Sequence, residues 1–260
     1  MKESALALIA VVALIGTPAL AADMAVKAPP APVPASAPPG WTGFYVGGDV
    51  GGAWTSNTGT WAPLPSPLAF GVFGQSGSNG GSSFVGGLHA GYNWEFAPTW
   101  VAGIEGDWSW AAAKGSFSQA WTITPPPGPC PGCFTSMSSH LDWISSLRAR
   151  FGYLVTPTVM AYATGGVAWG KFDYAANNSN AVTYVTNAAF SSTQTGFAVG
   201  GGLEWAMTKN WLVRAEYLYY RFNNGPSVVA NSTAFPANPS GYSWSSTNVN
   251  VARAGLSYKF

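Results

Sequence analysis

The chain has 260 residues, of which 47% are hydrophobic, 15% are aromatic and only 8% are charged. Soluble domains carry about 25% charged residues, so this composition excludes an ordinary solvated surface. Beyond its first residues, the sequence has no apolar run approaching the roughly 20 residues of a membrane-spanning helix. Since only helices and closed barrels span a bilayer, this combination favours a β-barrel. The net charge of +1, without a basic cluster, gives no support to nucleic-acid binding.

The N-terminal residues have the organisation of a secretory signal. Lys2 supplies a positive start, residues 5–16 form an apolar run, and Ala19-Leu20-Ala21 fits a small-residue cleavage site. The apolar run is too short for a membrane anchor, so we expect residues 1–21 to be a cleaved signal peptide. Residues 22–40 are rich in Ala and Pro, which predicts an extended periplasmic tether.

Eight stretches within residues 41–260 alternate between apolar and polar or small side chains, as half-buried strands do. In chain order they are 41–54, 83–95, 100–111, 139–153, 159–172, 194–205, 211–222 and 249–260. The centre of the fifth stretch is rich in Ala and Gly and barely alternates. In the fourth stretch, the pattern predicts one apolar face formed by Leu141, Trp143, Leu147, Phe151 and Tyr153.

The connections between these strands alternate in length. Long polar segments follow the first, third, fifth and seventh strands, and the short turns 96–99, 155–158 and 207–210 follow the others. Bacterial outer-membrane barrels have short periplasmic turns and longer external loops. If the last strand pairs with the first, no edge stays free. We predict an all-β fold, an eight-stranded antiparallel up-and-down transmembrane β-barrel, with both termini on the periplasmic side.

The charged side chains of the strands fall mainly on the face opposite the apolar one. We expect these side chains inside the barrel, as a network of Asp49, Glu105, Asp107, Arg148, Arg150, Glu204, Arg214, Glu216 and Arg253. Side chains can fill the interior of an eight-stranded barrel, and buried charges must be paired. The main interpretation is a plug of paired charges that sets strand register. The alternative is a narrow polar path for small solutes, with these charges setting its selectivity.

Aromatic residues flank two of the short turns. On the apolar faces, the sequence predicts an aromatic girdle of Trp94, Trp100, Trp205 and Trp211, because barrels place such side chains at the membrane interface. The expected partners of the outer surface are outer-membrane lipid and lipopolysaccharide. The oligomeric state does not follow from these patterns.

Signals for chemistry are weak. Cys130 and Cys133 lie in a Pro/Gly-rich segment without a helix signal, which favours a local loop disulfide over a redox site. His140 and Asp142 share a face, but no nucleophile lies at a spacing that indicates a catalytic site, so catalysis is not expected. No spacing of metal ligands and no cofactor motif is recognised, and we expect neither a metal nor a cofactor.

Three motifs carry a family resemblance: Trp41-Thr-Gly-Phe-Tyr-Val-Gly-Gly48 after the Pro-rich segment, Tyr162-Ala-Thr-Gly-Gly-Val-Ala-Trp-Gly170, and Arg253-Ala-Gly-Leu-Ser-Tyr-Lys-Phe260. On these residues the chain resembles the outer-membrane immunogenic protein family, porin-like barrels related in architecture to the OmpA membrane domain. The resemblance implies a surface-exposed envelope protein without catalytic residues. It also implies that Leu256, Tyr258 and Phe260 are the signal read by the barrel-assembly machinery. The cysteine segment is not part of the family pattern, and adhesion or ligand binding through the long loops stays an alternative.

Overall fold

The computed structural model of the chain describes residues 40–63, 74–123, 128–179, 185–232 and 239–260, most of which lie in β-strands. The predicted signal peptide, and all of the predicted tether except Gly40, lie outside these residues. Within the described part, no helix is long and apolar enough to cross a membrane.

The described residues form twelve strands in two sheets. In chain order they are β1 (Gly43–Ser56), β2 (Thr58–Pro63), β3 (Gln75–Ser78), β4 (Gly81–Ala97), β5 (Trp100–Ile123), β6 (Gly128–Thr156), β7 (Val159–Ser179), β8 (Val185–Ala206), β9 (Trp211–Phe222), β10 (Ser227–Ala230), β11 (Ser240–Trp244) and β12 (Thr247–Lys259). Eight of them close into a barrel in the order β1-β12-β9-β8-β7-β6-β5-β4. The first and last strands pair antiparallel, with Val50 opposite Ala254. The predicted eight-stranded closed barrel is therefore confirmed.

Four barrel strands are much longer than the sequence predicted. Strands β5 to β8 have 24, 29, 21 and 22 residues, whereas a tilted strand spans a bilayer with about 9–11 residues. The predicted loops at 112–138 and 174–193 are wrong, since backbone pairing continues to Ile123 opposite Gly128 and to Ser179 opposite Val185. The apolar pattern of the outer face ends before these strands do.

The other two predicted loops, 55–82 and 223–246, also contain strands. Within them, β10, β11, β2 and β3 form a four-stranded antiparallel sheet in that order. This second sheet packs on the inner side of the extended wall, where Trp61 of β2 stacks on Trp121 of β5 with ring centroids 5.2 Å apart. Strands of four to six residues, rich in Gly and Ser, are too short to show an alternation in the sequence.

One predicted face assignment is wrong. Leu141 is 1% exposed and points inward, whereas Leu147, predicted on the same face, is 50% exposed on the outside. The ladder between β6 and β7 shifts register between Leu141 and Trp143. Such a bulge adds one residue to a strand, and with a side-chain period of two it moves every residue beyond it to the opposite face.

Along the rest of the barrel, the predicted orientation is confirmed. The outward side chains Phe44, Leu88 and Ile104 are 66%, 62% and 53% exposed, whereas Asp49 and Glu105 on the inward face are 4% and 0% exposed. An apolar exterior around a polar interior suits a cylinder surrounded by lipid.

Candidate functional site

All nine predicted interior charges lie inside the barrel, where the structure brings them together. They belong to six strands: β1, β5, β6, β8, β9 and β12. Residues two apart on a strand share a face, so Glu105 and Asp107 of β5 both point inward, as do Arg148 and Arg150 of β6. Their exposed fractions range from 0% for Glu105 to 7% for Asp107. Charges this deeply buried are tolerated only when they are paired.

Glu105 lies at the centre of the network. Its Oε1 accepts a bond from Nη2 of Arg148 at 2.7 Å, and its Oε2 accepts one from Nη1 of Arg214 at 2.6 Å. Arg150 Nη1 is 3.2 Å from the same Oε2, and the hydroxyl of Tyr45 donates to it at 2.7 Å. One carboxylate of β5 thus holds side chains from β1, β6 and β9.

Arg148 extends the network across the interior. Its Nη1 donates to Glu216 Oε1 at 2.9 Å, and Glu216 belongs to β9, which is separated from β6 in the barrel by β7 and β8. Arg253 of β12 donates to Glu216 Oε2 at 2.7 Å and to Asp107 Oδ1 at 3.1 Å. These bonds connect opposite walls directly.

Two further pairs complete the network. Arg214 Nη2 donates to Asp49 Oδ2 at 2.8 Å, and Arg150 Nη2 donates to Glu204 Oε2 at 2.6 Å. The guanidinium of Arg150 also lies 4.0 Å from the ring centroid of Tyr162, a cation–π contact. The five carboxylates and four guanidinium groups therefore form one continuous set of ion pairs.

His89, which was not among the predicted interior residues, joins this network. Its Nδ1 lies 2.8 Å from Asp49 Oδ2 and its Nε2 lies 2.7 Å from Ser257 Oγ. The ring reaches from β4 to β12 across β1 because Gly47 has no side chain; a Cβ there would lie 2.5 Å from Nε2. The contacts run from Asp to His to Ser as in the catalytic triad of serine hydrolases. However, the three residues are only 4%, 3% and 1% exposed.

The end of the barrel that carries the short turns is filled by Trp41. Its ring is 2% exposed, its indole donates to the carbonyl of Pro157 at 3.2 Å, and its backbone N–H donates to Glu95 at 3.1 Å. Lys259 donates to the carbonyl of Gly40. Around Trp41 is an apolar layer of Val101, Leu154, Met160, Tyr162, Ala206 and Leu212. This layer lies directly below the charges.

A second apolar layer covers the charges from the other side. Leu218, Val249 and Phe222 are each 0% exposed and belong to a buried cluster that includes side chains of the four-stranded sheet. Trp244 of that sheet lies 5.0 Å from Tyr174 of the wall, measured between ring centroids. The charge network is therefore enclosed between two apolar layers.

The predicted girdle and terminal residues lie on the outer surface. Trp94, Trp100, Trp205 and Trp211 are 58%, 38%, 50% and 44% exposed near the short turns. Leu256 and Tyr258 on the outer face of β12 are 47% and 38% exposed, and Phe260, directly after the strand, is 72% exposed. Tyr258 packs edge-on against Trp211, with centroids 5.2 Å apart, so the terminal strand contributes to the same aromatic belt.

The predicted position of the two cysteines in a loop is wrong, because both belong to β6. Cys133 is 2% exposed on the inner face and is disulfide-bonded. The side chain of Cys130 lies outside the described part of the chain, so its pairing with Cys133 stays a prediction.

A polar cluster on the outer face of the extended wall is not visible as a sequence motif. His140 and Asp142 of β6 lie 3.1 Å apart, Nδ1 to Oδ1, and Lys171 of β7 lies 2.9 Å from Asp142 Oδ2. Asp173 pairs across the ladder with His140, and ligand atoms of His140, Asp142 and Asp173 lie within 4.8 Å of one another. The hydrogen bond to Asp142 raises the pKa of Lys171. The sequence showed no ligand spacing because Asp173 comes from a different strand.

A family model described as "Outer membrane protein beta-barrel domain" matches residues 7–260. The chain belongs to this family. It is similar to the 31 kDa outer-membrane immunogenic protein of Brucella melitensis, with 31% identity over 100% of both chains. A 25 kDa outer-membrane immunogenic protein of Brucella canis is 27% identical over 93% of this chain and 91% of its own length.

Two outer-membrane proteins of known structure are also similar to this chain. OprG of Pseudomonas aeruginosa has 17% identity and a TM-score of 0.47, and covers 84% of this chain and 96% of its own. The outer-membrane protease OmpT of Escherichia coli has 10% identity and a TM-score of 0.47, and covers 84% and 97%. Family membership places the barrel in the bacterial outer membrane, as the sequence predicted. Barrels of this membrane generally have short periplasmic turns and longer external segments.

Proposed function

We propose that this outer-membrane barrel has a structural and surface role, conducts no solutes, and uses its interior charges to hold the strands in register. The observation that carries this proposal is the bridge made by Arg148. Its guanidinium, 0% exposed, joins carboxylates of β5 and β9 through the middle of the interior. A solute path at this level requires these ion pairs to break, which costs several kcal/mol per buried charge.

Conductance in planar bilayers tests the closed barrel. We expect no steps from the folded protein under conditions in which a general porin conducts. Trp41→Ala removes the side chain that fills the end of the barrel with the short turns but leaves the charge network. This variant is therefore also expected to show no conductance steps. Steps in the wild-type protein that change in size with Arg148→Gln would overturn the proposal in favour of a narrow solute pore.

We also propose that the Asp49-His89-Ser257 arrangement is structural and not catalytic. Its support is the burial of Ser257 at 1% exposure, which keeps the hydroxyl away from a substrate. A fluorophosphonate probe is expected to leave Ser257 unlabelled in the folded barrel. Labelling that disappears with His89→Gln would show an activated serine and would contradict the proposal.

For assembly, we propose that the barrel-assembly machinery reads Leu256, Tyr258 and Phe260. The three side chains alternate on one outward face at the end of β12, which supports a signal that an external partner can read. Removing Phe260 is expected to lower the amount of folded protein in the outer membrane at an unchanged synthesis rate. Unchanged assembly in cells after this removal would contradict the role.

A second candidate function is ligand or partner binding by the external sheet. The observation that favours it is a groove of about 360 Å³ lined by residues 187–190 and 227–231, beside the edge strand β10. Val229 is 58% exposed there. Val229→Asp is expected to abolish cell-surface binding of a partner while the barrel still folds. Binding that survives this change would exclude the groove.

A further inference from the structure

We propose that His140, Asp142 and Asp173 bind one divalent cation of the zinc class on the outer face of the extended wall, and that this cation binds a phosphate of outer-leaflet lipopolysaccharide. The metal site does not depend on whether the barrel conducts solutes. It concerns a surface outside the lumen and uses none of the nine interior charges.

The three side chains provide a suitable set of donors. His140 and Asp142 alternate with the buried Ser139 and Leu141, so both point outward, and Asp173 lies on the neighbouring strand directly opposite His140. The 3.1 Å between His140 Nδ1 and Asp142 Oδ1 is close to the spacing of two ligands about 2.0–2.1 Å from one zinc ion. An imidazole with two carboxylates suits zinc or manganese, whereas magnesium and calcium prefer oxygen ligands alone.

Neighbouring side chains orient both carboxylates. Lys171 holds Asp142 through Oδ2, which leaves Oδ1 directed towards His140. Ser191 of β8 donates to Oδ1 of Asp173. Metal ligands commonly have such outer partners, which fix the direction of the ligating atom. His140 and Asp142 keep 29% and 23% of their side chains exposed, so an ion can reach them.

The position of the cluster selects the second ligand. Trp143 of β6 stacks on Trp108 with ring centroids 4.3 Å apart, and Tyr153 lies ten positions further along the strand in the periplasmic belt. At about 3.3 Å per residue and a tilt of about 40°, these two residues are separated by about 25 Å along the membrane normal, the height of the apolar band of a barrel. His140 and Asp142 therefore lie just outside the upper interface, at the level of the lipid head groups.

Charge explains why the ion is needed for this contact. The two carboxylates and Lys171 together carry a charge of −1, which repels an anionic head group. A bound divalent cation changes this charge to +1. The three protein ligands leave one position of a tetrahedral ion for a phosphate oxygen.

Zinc titration of the folded full-length barrel in metal-free detergent tests the site. Isothermal titration is expected to show one zinc ion per chain, and Co²⁺ is expected to give the visible absorption of a tetrahedral site. His140→Gln and Asp173→Asn are each expected to weaken zinc binding by about tenfold or more. Lys209→Met in a periplasmic turn is the matched control without an effect.

Heat-modifiable migration in gels shows that each variant is folded before it is titrated. The metal site would be overturned by wild-type protein that binds no zinc, or by equal binding in the double variant His140→Gln/Asp173→Asn. For the second ligand, zinc is expected to increase retention on lipopolysaccharide micelles and not on dephosphorylated ones. Equal retention on both would overturn the phosphate contact, and full competition by inorganic phosphate at an equal concentration would assign the open position to the free anion.

Discussion

The apolar side chains of this barrel face outward at one level of the strands and inward at another. At the level of the membrane, β6 points Arg148 and Arg150 inward and exposes Leu147 and Phe151 to lipid, at 50% and 52%. In the extended wall, β7 does the opposite. It buries Phe172 and Tyr174, each 1% exposed, and presents Lys171 and Asp173 to the outside.

This contrast shows that the surroundings decide which face of a strand is apolar. Where lipid surrounds the barrel, apolar side chains face out and the interior is stabilised by ion pairs. Where water surrounds it, the same strands need an apolar interior, which the external sheet supplies with Trp61, Tyr242 and Trp244. Because of the bulge at Leu141, the apolar side chains of β6 point inward in the extended wall and outward at the level of the membrane.

The largest loss of stability is expected when one charge is removed from the interior at the level of the membrane. Glu105→Gln leaves Arg148, Arg150 and Arg214 with too few negative partners in a dry interior. We expect the free energy of unfolding to fall by about 3–5 kcal/mol. Urea unfolding from lipid vesicles measures it, with Lys209→Gln in an exposed turn as the control, which should stay within about 0.5 kcal/mol of the wild type. A loss below 1 kcal/mol for Glu105→Gln would show that the ion pairs do not hold the barrel together.

The second prediction tests the bulge with one substitution at two positions. Leu141→Ser leaves a cavity and a hydroxyl inside the apolar layer, and it is expected to cost about 2–5 kcal/mol. Leu147→Ser changes a side chain that faces lipid and encloses no cavity, so its cost is expected to be less than half as large. The same unfolding assay measures both. Equal costs would mean that the two residues share a face after all.

The membrane-spanning part of the fold could be predicted from the sequence because lipid imposes a strict alternation. For β9 the predicted range, 211–222, is the observed strand. For β5 the prediction stopped at residue 111, but the strand continues to Ile123. Beyond the lipid, its outer face carries Lys114 and Ser116 and its inner face Ala113 and Gly115, so the contrast in hydrophobicity that identifies a strand is weak.

For the interior, the sequence predicted which residues point inward but not which residues pair. Arg148 bonds to Glu216, 68 positions away, and His89 contacts Ser257, 168 positions away. Such partners depend on barrel closure and strand tilt, which a local pattern does not contain. The cluster of His140, Asp142 and Asp173 was missed for the same reason, since the register of β6 against β7 brings the third residue to the other two.

A third, smaller effect is expected at Gly47, where β1 allows His89 to cross to Ser257. In Gly47→Ala, the new Cβ would lie 2.5 Å from His89 Nε2 and 2.3 Å from the carbonyl of Leu256. The ring must therefore move and the strands must shift, and we expect a loss of about 1–3 kcal/mol. Gly48→Ala is the matched control, because its Cβ points to the lipid side and meets its nearest atom at 3.5 Å. Equal stability of the two variants would show that the contact between His89 and Ser257 does not require a glycine.

The smallest effect is expected in the outer belt, where neither level of the interior is touched. Trp211→Leu keeps an apolar side chain towards lipid but loses the edge-on contact with Tyr258. Aromatic pairs contribute about 0.5–1.5 kcal/mol beyond the burial of their area, so we expect a loss in that range. A double-mutant cycle with Tyr258→Leu isolates the pair, and a coupling near zero would mean that the belt contributes through lipid contact alone. Because Tyr258 also belongs to the proposed assembly signal, refolding of purified protein into vesicles measures stability apart from assembly in the cell.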